Sequence, residues 1–238
     1  MPLPIQWISI CMDSVKAWAK LNDFDYKFVD DALFEYLSDE LLKKTSTQLV
    51  IASDLARLKL LQSYLKQGYE TVIWCDADFL IFSPEKFTLE NTLYALGREV
   101  WIQADVKYPH KLVSYIKVHN AFMMYKKGNS FLDFYADTAE RLLKRNQGSM
   151  SPQFIGPKLL TAIHNIAQCP VLESAGMLSP LVIKDLAKGH GPALELFKQR
   201  SAKPIAAANL CNSLFQQGEF DAVELEGCLV QLANKTLL

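Results

Sequence analysis

Two aspartates separated by a single residue, Asp76 and Asp78, interrupt a strongly apolar stretch of the chain. The apolar residues 72–75 precede them, and a second apolar run at residues 79–82 follows at once. Two carboxylates in such surroundings are costly unless something compensates their charge, and a hard divalent cation that prefers oxygen ligands would do so. The pattern therefore predicts a Mg²⁺ or Mn²⁺ site at the end of a buried strand, where open α/β sheets collect their ligands.

The same acids have two other interpretations. They could cap a strand end or open a turn, because an isolated Asp-x-Asp pattern is common. A phosphatase of the haloacid dehalogenase type also places Asp-x-Asp after a hydrophobic strand. That class normally has Thr or Val two residues beyond the second acid, and Leu80 stands there in this chain, which disfavours the phosphatase.

The overall composition is that of an ordinary globular protein. The chain has 238 residues, of which 50% are hydrophobic and 21% charged, with a formal net charge of −1. A near-neutral chain of this kind gives no reason to expect nucleic acid as a partner. Strands and helices alternate, and no repeat or linker divides them, which predicts one mainly parallel α/β domain flanked by helices.

Cysteine usage and hydropathy bear on the compartment. The cysteines are scattered without a Cys-x-x-Cys pair, which indicates free thiols in a reducing environment. The first residues show neither a charged start nor a long apolar core, and no apolar run approaches the ~18 residues of a membrane span. We therefore expect a cytoplasmic protein without a signal peptide or transmembrane segment. The cysteines are Cys11, Cys75, Cys169, Cys211 and Cys228.

Hydrophobic periodicity and capping residues predict the individual elements. We expect strands at residues 5–10, 24–28, 72–75 and 100–104, and a loop at residues 107–117. Helices are expected to begin at Ser53 and to end before Gly68, to begin again near Asn129 or Ser130, and to begin once more at Pro157.

Asp54 and Arg57 lie three residues apart and would share one face of the helix that begins at Ser53. The simplest interpretation is a local ion pair in which the helix dipole favours the Asp54 carboxylate. As an exposed pair it would contribute only about 0.2–0.5 kcal/mol to the helix.

Four segments in this order carry a family resemblance. They read Ala-Ser-Asp-Leu-Ala-Arg at residues 52–57, Ile-Trp-Cys-Asp-Ala-Asp at 73–78, His-Asn-Ala-Phe-Met at 119–123 and Gly-Pro-Lys-Leu-Leu-Thr at 156–161. Together they resemble glycosyltransferases with a DXD-containing sugar-binding region, including capsular-polysaccharide and mannosyl transferases and, more distantly, the large glucosylating toxins. The resemblance covers roughly residues 5–165, with a fainter echo near residue 212.

The resemblance implies a GT-A fold, a Rossmann-like sheet in a single domain spanning residues 1–238. Residues 1–167 would form the nucleotide-sugar-binding core, and residues 168–238 would complete the site. The implied activity is transfer of a sugar, with retention at the anomeric carbon, from a UDP- or GDP-sugar to a glycan or another acceptor. A divalent cation, commonly Mn²⁺ and alternatively Mg²⁺, would stabilise the charge that gathers on the diphosphate.

The resemblance also implies a role for each matching residue. Asp78 would be the first metal ligand, and Asp76 would hold the ribose or reach the metal directly or through water. Asp54 and Arg57 would contact the donor sugar and its phosphates, and Asn120 would lie beside the anomeric centre. Trp7 would stack on the nucleotide base. Gly156 and Pro157 would take part in donor binding.

The chain departs from the family pattern in two places. Relatives have Gly-Gly-Val/Ile-Tyr before the DXD strand, whereas residues 68–71 read Gly-Tyr-Glu-Thr here. They also close with a His or an acid near Ser-x-Trp, and the nearest match is residues 209–215, Asn-Leu-Cys-Asn-Ser-Leu-Phe. Asn212 and Ser213, or Asn209, would then supply the further metal ligand, with His190 as the competing candidate. This weakened motif leaves a catalytically degenerate, ligand-binding domain as the alternative.

Overall fold

The computed structural model describes residues 6–234. Its α-helices are α1 (Gln6–Leu21), α2 (Asp39–Thr45), α3 (Leu49–Lys66), α4 (Phe131–Arg145), α5 (Pro157–Ala167), α6 (Pro180–Lys188), α7 (Pro192–Arg200), α8 (Asn212–Gln216) and α9 (Ala222–Ala233), with a 3-10 helix at Asp31–Tyr36. Its strands are β1 (Thr71–Cys75), β2 (Phe79–Ile81), β3 (Tyr94–Ala104), β4 (Leu112–Lys126), β5 (Val171–Leu172), β6 (Ala175–Met177) and β7 (Ala207–Asn209).

The strands form two mixed sheets. The larger has the order β1-β4-β3-β5, in which only the β3–β5 pair is parallel. The smaller has the order β2-β7-β6, in which β2 and β7 are antiparallel and β6 and β7 are parallel. The α/β class is confirmed, and the prediction of a mainly parallel sheet is wrong.

The reason is the long antiparallel hairpin of β3 and β4. Residues 107–117 were expected to form a loop because they are polar and contain a proline, but residues 112–117 belong to β4 and pair with β3. Only a short turn separates the two strands, so no helical crossover is present to make them parallel. The predicted strand at residues 100–104 is confirmed as the end of β3.

The N-terminal prediction is also wrong. Residues 6–10, expected in a first strand, belong to α1, and Ile5 lies outside the described residues. The buried side chains of α1 recur with helical spacing, because Trp7, Ile8 and Cys11 cover one turn and Trp18 and Ala19 lie three turns further along the same face. Trp7 is therefore a helical residue rather than a strand residue.

Residues 24–30 have no regular structure, although residues 24–28 alternate like a strand. Alternation only becomes a strand when a neighbouring strand accepts its backbone hydrogen bonds. Within the described residues β1 pairs with β4 alone, so this segment runs beside the larger sheet without joining it.

Helix prediction was more accurate than strand prediction. Pro157 is the first residue of α5, and Gly68, at φ +106°, follows the end of α3 as predicted. Asn129 caps α4 because its Oδ1 accepts the N–H of Leu132 at 2.9 Å. However, α3 begins at Leu49, so Asp54 is a second-turn residue and the helix dipole does not explain its placement.

The position of Asp76-Ala77-Asp78 follows from the two sheets. β1 belongs to the larger sheet and β2 to the smaller one, so the chain passes from one sheet to the other through these three residues. The predicted strand at residues 72–75 is confirmed within β1, and the apolar run after the acids, for which no element was predicted, forms β2. Among residues 6–234, no helix combines the length and apolar character needed to cross a membrane.

Candidate functional site

A cleft of about 820 Å³ opens beside the junction of the two sheets. Its walls come from α1, residues 24–34, α3 and β1, and aromatic side chains such as Trp18, Phe24 and Tyr26 contribute much of the lining. Asp76, Asp78, Arg57, Asn212 and Ser213 line the same cleft. Five residues predicted from sequence as site residues therefore share one cavity.

Arg57 lies at the centre of a group that we call the arginine cluster, which consists of Asp54, Arg57, Asp76 and Asn120. Its Nη1 donates to Asp76 Oδ1 at 2.8 Å, and its Nη2 lies 3.1 Å from Asp54 Oδ1. Nη1 also donates to the Asn120 carbonyl at 3.2 Å. Burial lowers the pKa of Arg57, but Asp76 and Asp54 raise it and their effect is larger, so the guanidinium stays charged.

The Asp54–Arg57 pair is therefore correctly predicted as a contact and wrongly predicted as an exposed one. Arg57 is only 6% exposed and Asp54 only 3%. An exposed helix pair contributes a few tenths of a kcal/mol, whereas removing one partner of a buried pair leaves an uncompensated charge and costs about 3–5 kcal/mol.

Asp54 lies beneath the cleft rather than on its wall. Its Oδ1 accepts the Asn120 amide at 2.7 Å, while its buried Oδ2 has no hydrogen-bond partner among the described residues. Burial raises the pKa of Asp54 to about 6, against the lowering effects of Arg57 and Asn120. A Cβ at Gly156 would collide with Asp54 Oδ2 and approach Asn120 Nδ2 to 2.9 Å, so the glycine lets the loop before α5 cover this carboxylate.

Asp76 is held in one orientation by two donors. Its N–H donates to the Ala121 carbonyl of β4 at 2.9 Å, which fixes the end of β1. Its Oδ1 accepts Arg57 Nη1 and also Trp74 Nε1, the latter at 2.6 Å. Oδ2 is therefore the oxygen of Asp76 left for a ligand.

Asp78 lies in a second group, the amide cluster, which consists of Asp78, Asn209 and Asn212. Asn209 Nδ2 donates to Asp78 Oδ1 at 2.5 Å, and the Asn212 N–H donates to Oδ2 at 2.7 Å. Burial and the nearby charge of Asp76 raise the pKa of Asp78 to about 6, although the hydrogen bonds from Asn212 and Asn209 oppose this shift. The C-terminal residues 209–213 are thus brought to the DXD acids.

The remaining predicted residues lie elsewhere. Trp7 is buried in a core cluster against Phe215, with the ring centroids 5.8 Å apart, and is absent from the lining of the cleft. His190 is in the turn between α6 and α7 and does not line the cleft either. Pro157 starts α5 next to Gly156.

The metal-ligating groups in the cleft suit a divalent cation that is coordinated partly by the protein and partly by a bound substrate. No group of three His, Cys, Asp or Glu side chains within residues 6–234 is placed to enclose a metal ion. Mg²⁺-type ions are commonly bound by one or two carboxylates together with substrate phosphates. Asp76 and Asp78 would supply the carboxylates, a cation would relieve their mutual repulsion, and Asn212 and Ser213 line the same cleft.

Sequence reasoning missed the role of Trp74. Its indole N–H binds Asp76, and its ring lies 5.1 Å from the Arg57 guanidinium carbon. The available signal was strand periodicity, because Trp74 and Asp76 are two residues apart and side chains at that spacing share one face.

Comparisons with known proteins identify no family. No protein-family model matches the chain, and no curated protein matches it either. Among solved structures, the chain is similar to a protein described as a glycosyltransferase involved in the glycosylation of the major capsid of PBCV-1. That similarity spans 97% of this chain and 95% of the other, with 9% sequence identity and a TM-score of 0.41.

Proposed function

We propose that this protein is a metal-dependent glycosyltransferase that moves a sugar, with retention, from a UDP- or GDP-sugar to a glycan or another acceptor. The observation that carries the proposal is the meeting of Asp76 and Asp78 with residues 209–213 on one side of a cleft. Two carboxylates that share a divalent cation would meet the diphosphate of such a donor, and polar side chains and aromatic walls would meet its sugar and base.

The residues of the two clusters would have different roles in binding the metal and the donor. Asp76 and Asp78 would hold Mn²⁺ or Mg²⁺, which would supply charge stabilisation for the departing diphosphate. Arg57 and Trp74 fix Asp76 Oδ1, so that Oδ2 would face the metal or the ribose. Asp54 and Asn120 position Arg57 from below, and direct contact of these two with the donor sugar stays a prediction.

The cleft provides further polar contacts for a donor. Asn212 and Ser213 lie at the start of α8 and contribute to the cleft lining. Their side chains would bind phosphate oxygens or complete the metal shell. Gly156 lets the loop before α5 pack on Asp54 and Asn120, which would support the arginine cluster from the side away from the donor.

A catalytically degenerate domain is the second candidate. It is favoured by the scarcity of charged ligands, because within residues 6–234 the DXD acids are joined by amide and hydroxyl groups rather than by a further His or acid. Amide oxygens bind hard cations more weakly than carboxylates do. Such a domain would bind the nucleotide or a glycan without transfer.

The decisive experiment separates binding from turnover. Thermal stability is measured with Mn²⁺ alone, with UDP or GDP alone, and with both, and UMP and GMP serve as controls that lack the second phosphate. We expect a melting-temperature rise that requires metal and diphosphate together, because a ligand that binds only the folded state stabilises it. Absence of any such rise would contradict the proposal.

Turnover is then measured as hydrolysis of a panel of UDP- and GDP-sugars. We expect slow, Mn²⁺-dependent release of sugar that stops when a chelator is added. Binding without hydrolysis or transfer of any donor would support the degenerate domain. A phosphorylated aspartate at Asp76 after incubation with a phosphate ester would instead support the phosphatase.

A further inference from the structure

The turn of the β3–β4 hairpin has a composition that differs from the rest of the surface. All six residues at positions 106–111 are exposed, and Val106 is 90% exposed. Residues 105–117 contain three lysines and a single acid, Asp105. The chain as a whole has a net charge of −1, so this hairpin is a local basic region on a nearly neutral protein.

The lysines of the turn are arranged around an aromatic ring. Lys107 Nζ and Lys111 Nζ lie 5.2 and 5.1 Å from the centroid of the Tyr108 ring. Asp105 does not neutralise them through an ion pair; its Oδ1 accepts the backbone N–H groups of Lys107 and Tyr108, each at 2.8 Å. No ion pair within residues 6–234 involves Lys107 or Lys111.

Apolar side chains share this region with the lysines. Val106 and Tyr108 lie in the turn, and Tyr115 and Ile116 are exposed on β4 behind it. A soluble anion would engage the ammonium groups and leave the apolar groups in water. A lipid bilayer engages both, because lysines bind headgroup phosphates while valine and tyrosine enter the boundary with the acyl chains.

We propose that the β3–β4 turn is a docking site for an anionic phospholipid membrane. The two free ammonium groups supply the charge complementarity, and Val106 with Tyr108 supplies the part that enters the bilayer. Each lysine near an anionic surface contributes about fivefold to affinity, so two lysines and a short apolar tip give weak, reversible binding. Asn120 lies eight residues along β4 from Leu112, or about 25 Å at strand spacing, which would keep the cleft clear of the lipid.

The test is vesicle cosedimentation of the full-length protein, which does not depend on the proposed transferase activity. Vesicles of phosphatidylcholine alone are compared with vesicles containing one-third phosphatidylserine, at low and high salt. Three variants are used: Lys107→Glu/Lys111→Glu, the uncharged Val106→Ser, and the matched charge control Lys16→Glu/Lys86→Glu, whose lysines are exposed outside the hairpin. Circular dichroism and melting temperature show that each variant is folded.

We expect binding to the anionic vesicles only, weakened by salt, lost by more than about 20-fold in the Lys107/Lys111 variant and retained in the control. Val106→Ser, which removes the apolar group without adding a charge, should also weaken binding. If the wild-type protein ignores anionic vesicles, or if the control loses as much as the hairpin variant, the proposal is wrong. If Val106→Ser binds normally while the lysine variant does not, the turn recognises anions in general, and the membrane assignment is overturned.

Discussion

The arginine cluster and the amide cluster hold the two DXD acids in opposite ways. In the arginine cluster, Asp76 is paired with a buried guanidinium and also accepts an indole N–H. In the amide cluster, the donors to Asp78 from the described part of the chain are neutral: the side chain of Asn209 and the backbone of Asn212. One carboxylate is compensated by a charge of the protein itself, and the other by dipoles alone.

This difference indicates which acid depends on an external cation. Hydrogen bonds from neutral donors compensate a buried carboxylate less than a charged partner does. The pKa of Asp78 is raised to about 6 by burial and by the charge of Asp76, so its ionised form is disfavoured in the folded protein. We infer that a bound cation would change the environment of Asp78 more than that of Asp76.

Asp78→Asn gives the largest expected effect on ligand binding. The variant should lose more than about 100-fold in Mn²⁺-dependent affinity for UDP or GDP, since the carboxylate proposed to bind the metal directly is removed. Its melting temperature without metal should change little at pH 7, because removal of the disfavoured charge offsets the loss of one of the two hydrogen bonds that the carboxylate accepts. Calorimetric titration and thermal unfolding measure the two effects.

The matched control for this variant is Asp137→Asn, whose side chain is 65% exposed and pairs with Arg141 on the helix surface. It should leave both measurements as in the wild type. If Mn²⁺ stabilises Asp78→Asn as much as it stabilises the wild type, Asp78 is not a metal ligand. The two clusters would then not differ in their dependence on a cation.

Arg57→Ala tests the other cluster and should act first on stability. It leaves two carboxylates without their shared cation, which we expect to cost about 3–5 kcal/mol in the free energy of unfolding. Arg141→Ala breaks an exposed helix pair with Asp137 and should cost less than about 0.5 kcal/mol. Urea denaturation compares the two. Equal small losses would show that the arginine cluster is no more than a surface ion pair.

His119 joins the larger sheet to the smaller one and gives a pH-dependent test. Its Nε2 lies 3.1 Å from the Ala175 carbonyl of β6, and its Nδ1 accepts the Ala121 N–H at 3.2 Å. Burial lowers the pKa of His119 from 6.5 to about 4, so the unfolded chain takes up a proton before the folded protein does. Stability should therefore fall as pH decreases from 6.5 towards 4, by up to about 1.4 kcal/mol per pH unit.

The raised pKa values of Asp54 and Asp78 have the opposite effect on stability. Both carboxyl groups bind protons more strongly in the folded protein than in the unfolded chain, so their contribution to stability rises as pH falls below 6. The measurement is therefore the difference between the wild type and His119→Gln. Over this range the wild type should lose about 3 kcal/mol more than the variant, whatever the variant's absolute stability. Parallel curves would mean that His119 titrates normally and that water reaches the contact between the sheets.

The parts of the fold that could be predicted from the sequence are those that depend on neighbouring residues. The helix start at Pro157, the helix end at Gly68 and the strand before Asp76 were predicted correctly, because caps and short apolar runs act on neighbouring residues. Strand direction was not predictable in this way. It depends on partners far along the chain, and the exposed half of the β3–β4 hairpin has no hydrophobic pattern that distinguishes it from a loop.

The site shows the same division. The spacing of Asp54 and Arg57 predicted their contact, but not that the loop at Gly156 would bury it, since burial comes from a segment about a hundred residues away. The contact of Asn209 and Asn212 with Asp78 was suggested by family resemblance alone. Their separation from Asp78 in sequence leaves no periodic signal that could have revealed it.

Trp74→Phe gives the smallest and most local change. It removes the indole N–H that binds Asp76 Oδ1 but keeps an aromatic ring near Arg57. We expect the free energy of unfolding to fall by about 1.5 kcal/mol, the low end for hydrogen bonds to a charged acceptor.

Trp101→Phe is the matched control, because the Trp101 Nε1 donates to the neutral amide oxygen of Gln103 at 3.1 Å. It should cost about 0.5–1 kcal/mol. Trp74→Leu should lose roughly a further 0.5–1 kcal/mol, since it also removes the ring from the guanidinium. If the two Phe variants are equally stable and Trp74→Phe binds Mn²⁺ and nucleotide as the wild type does, Asp76 is held by Arg57 alone, and the arginine cluster needs no second donor.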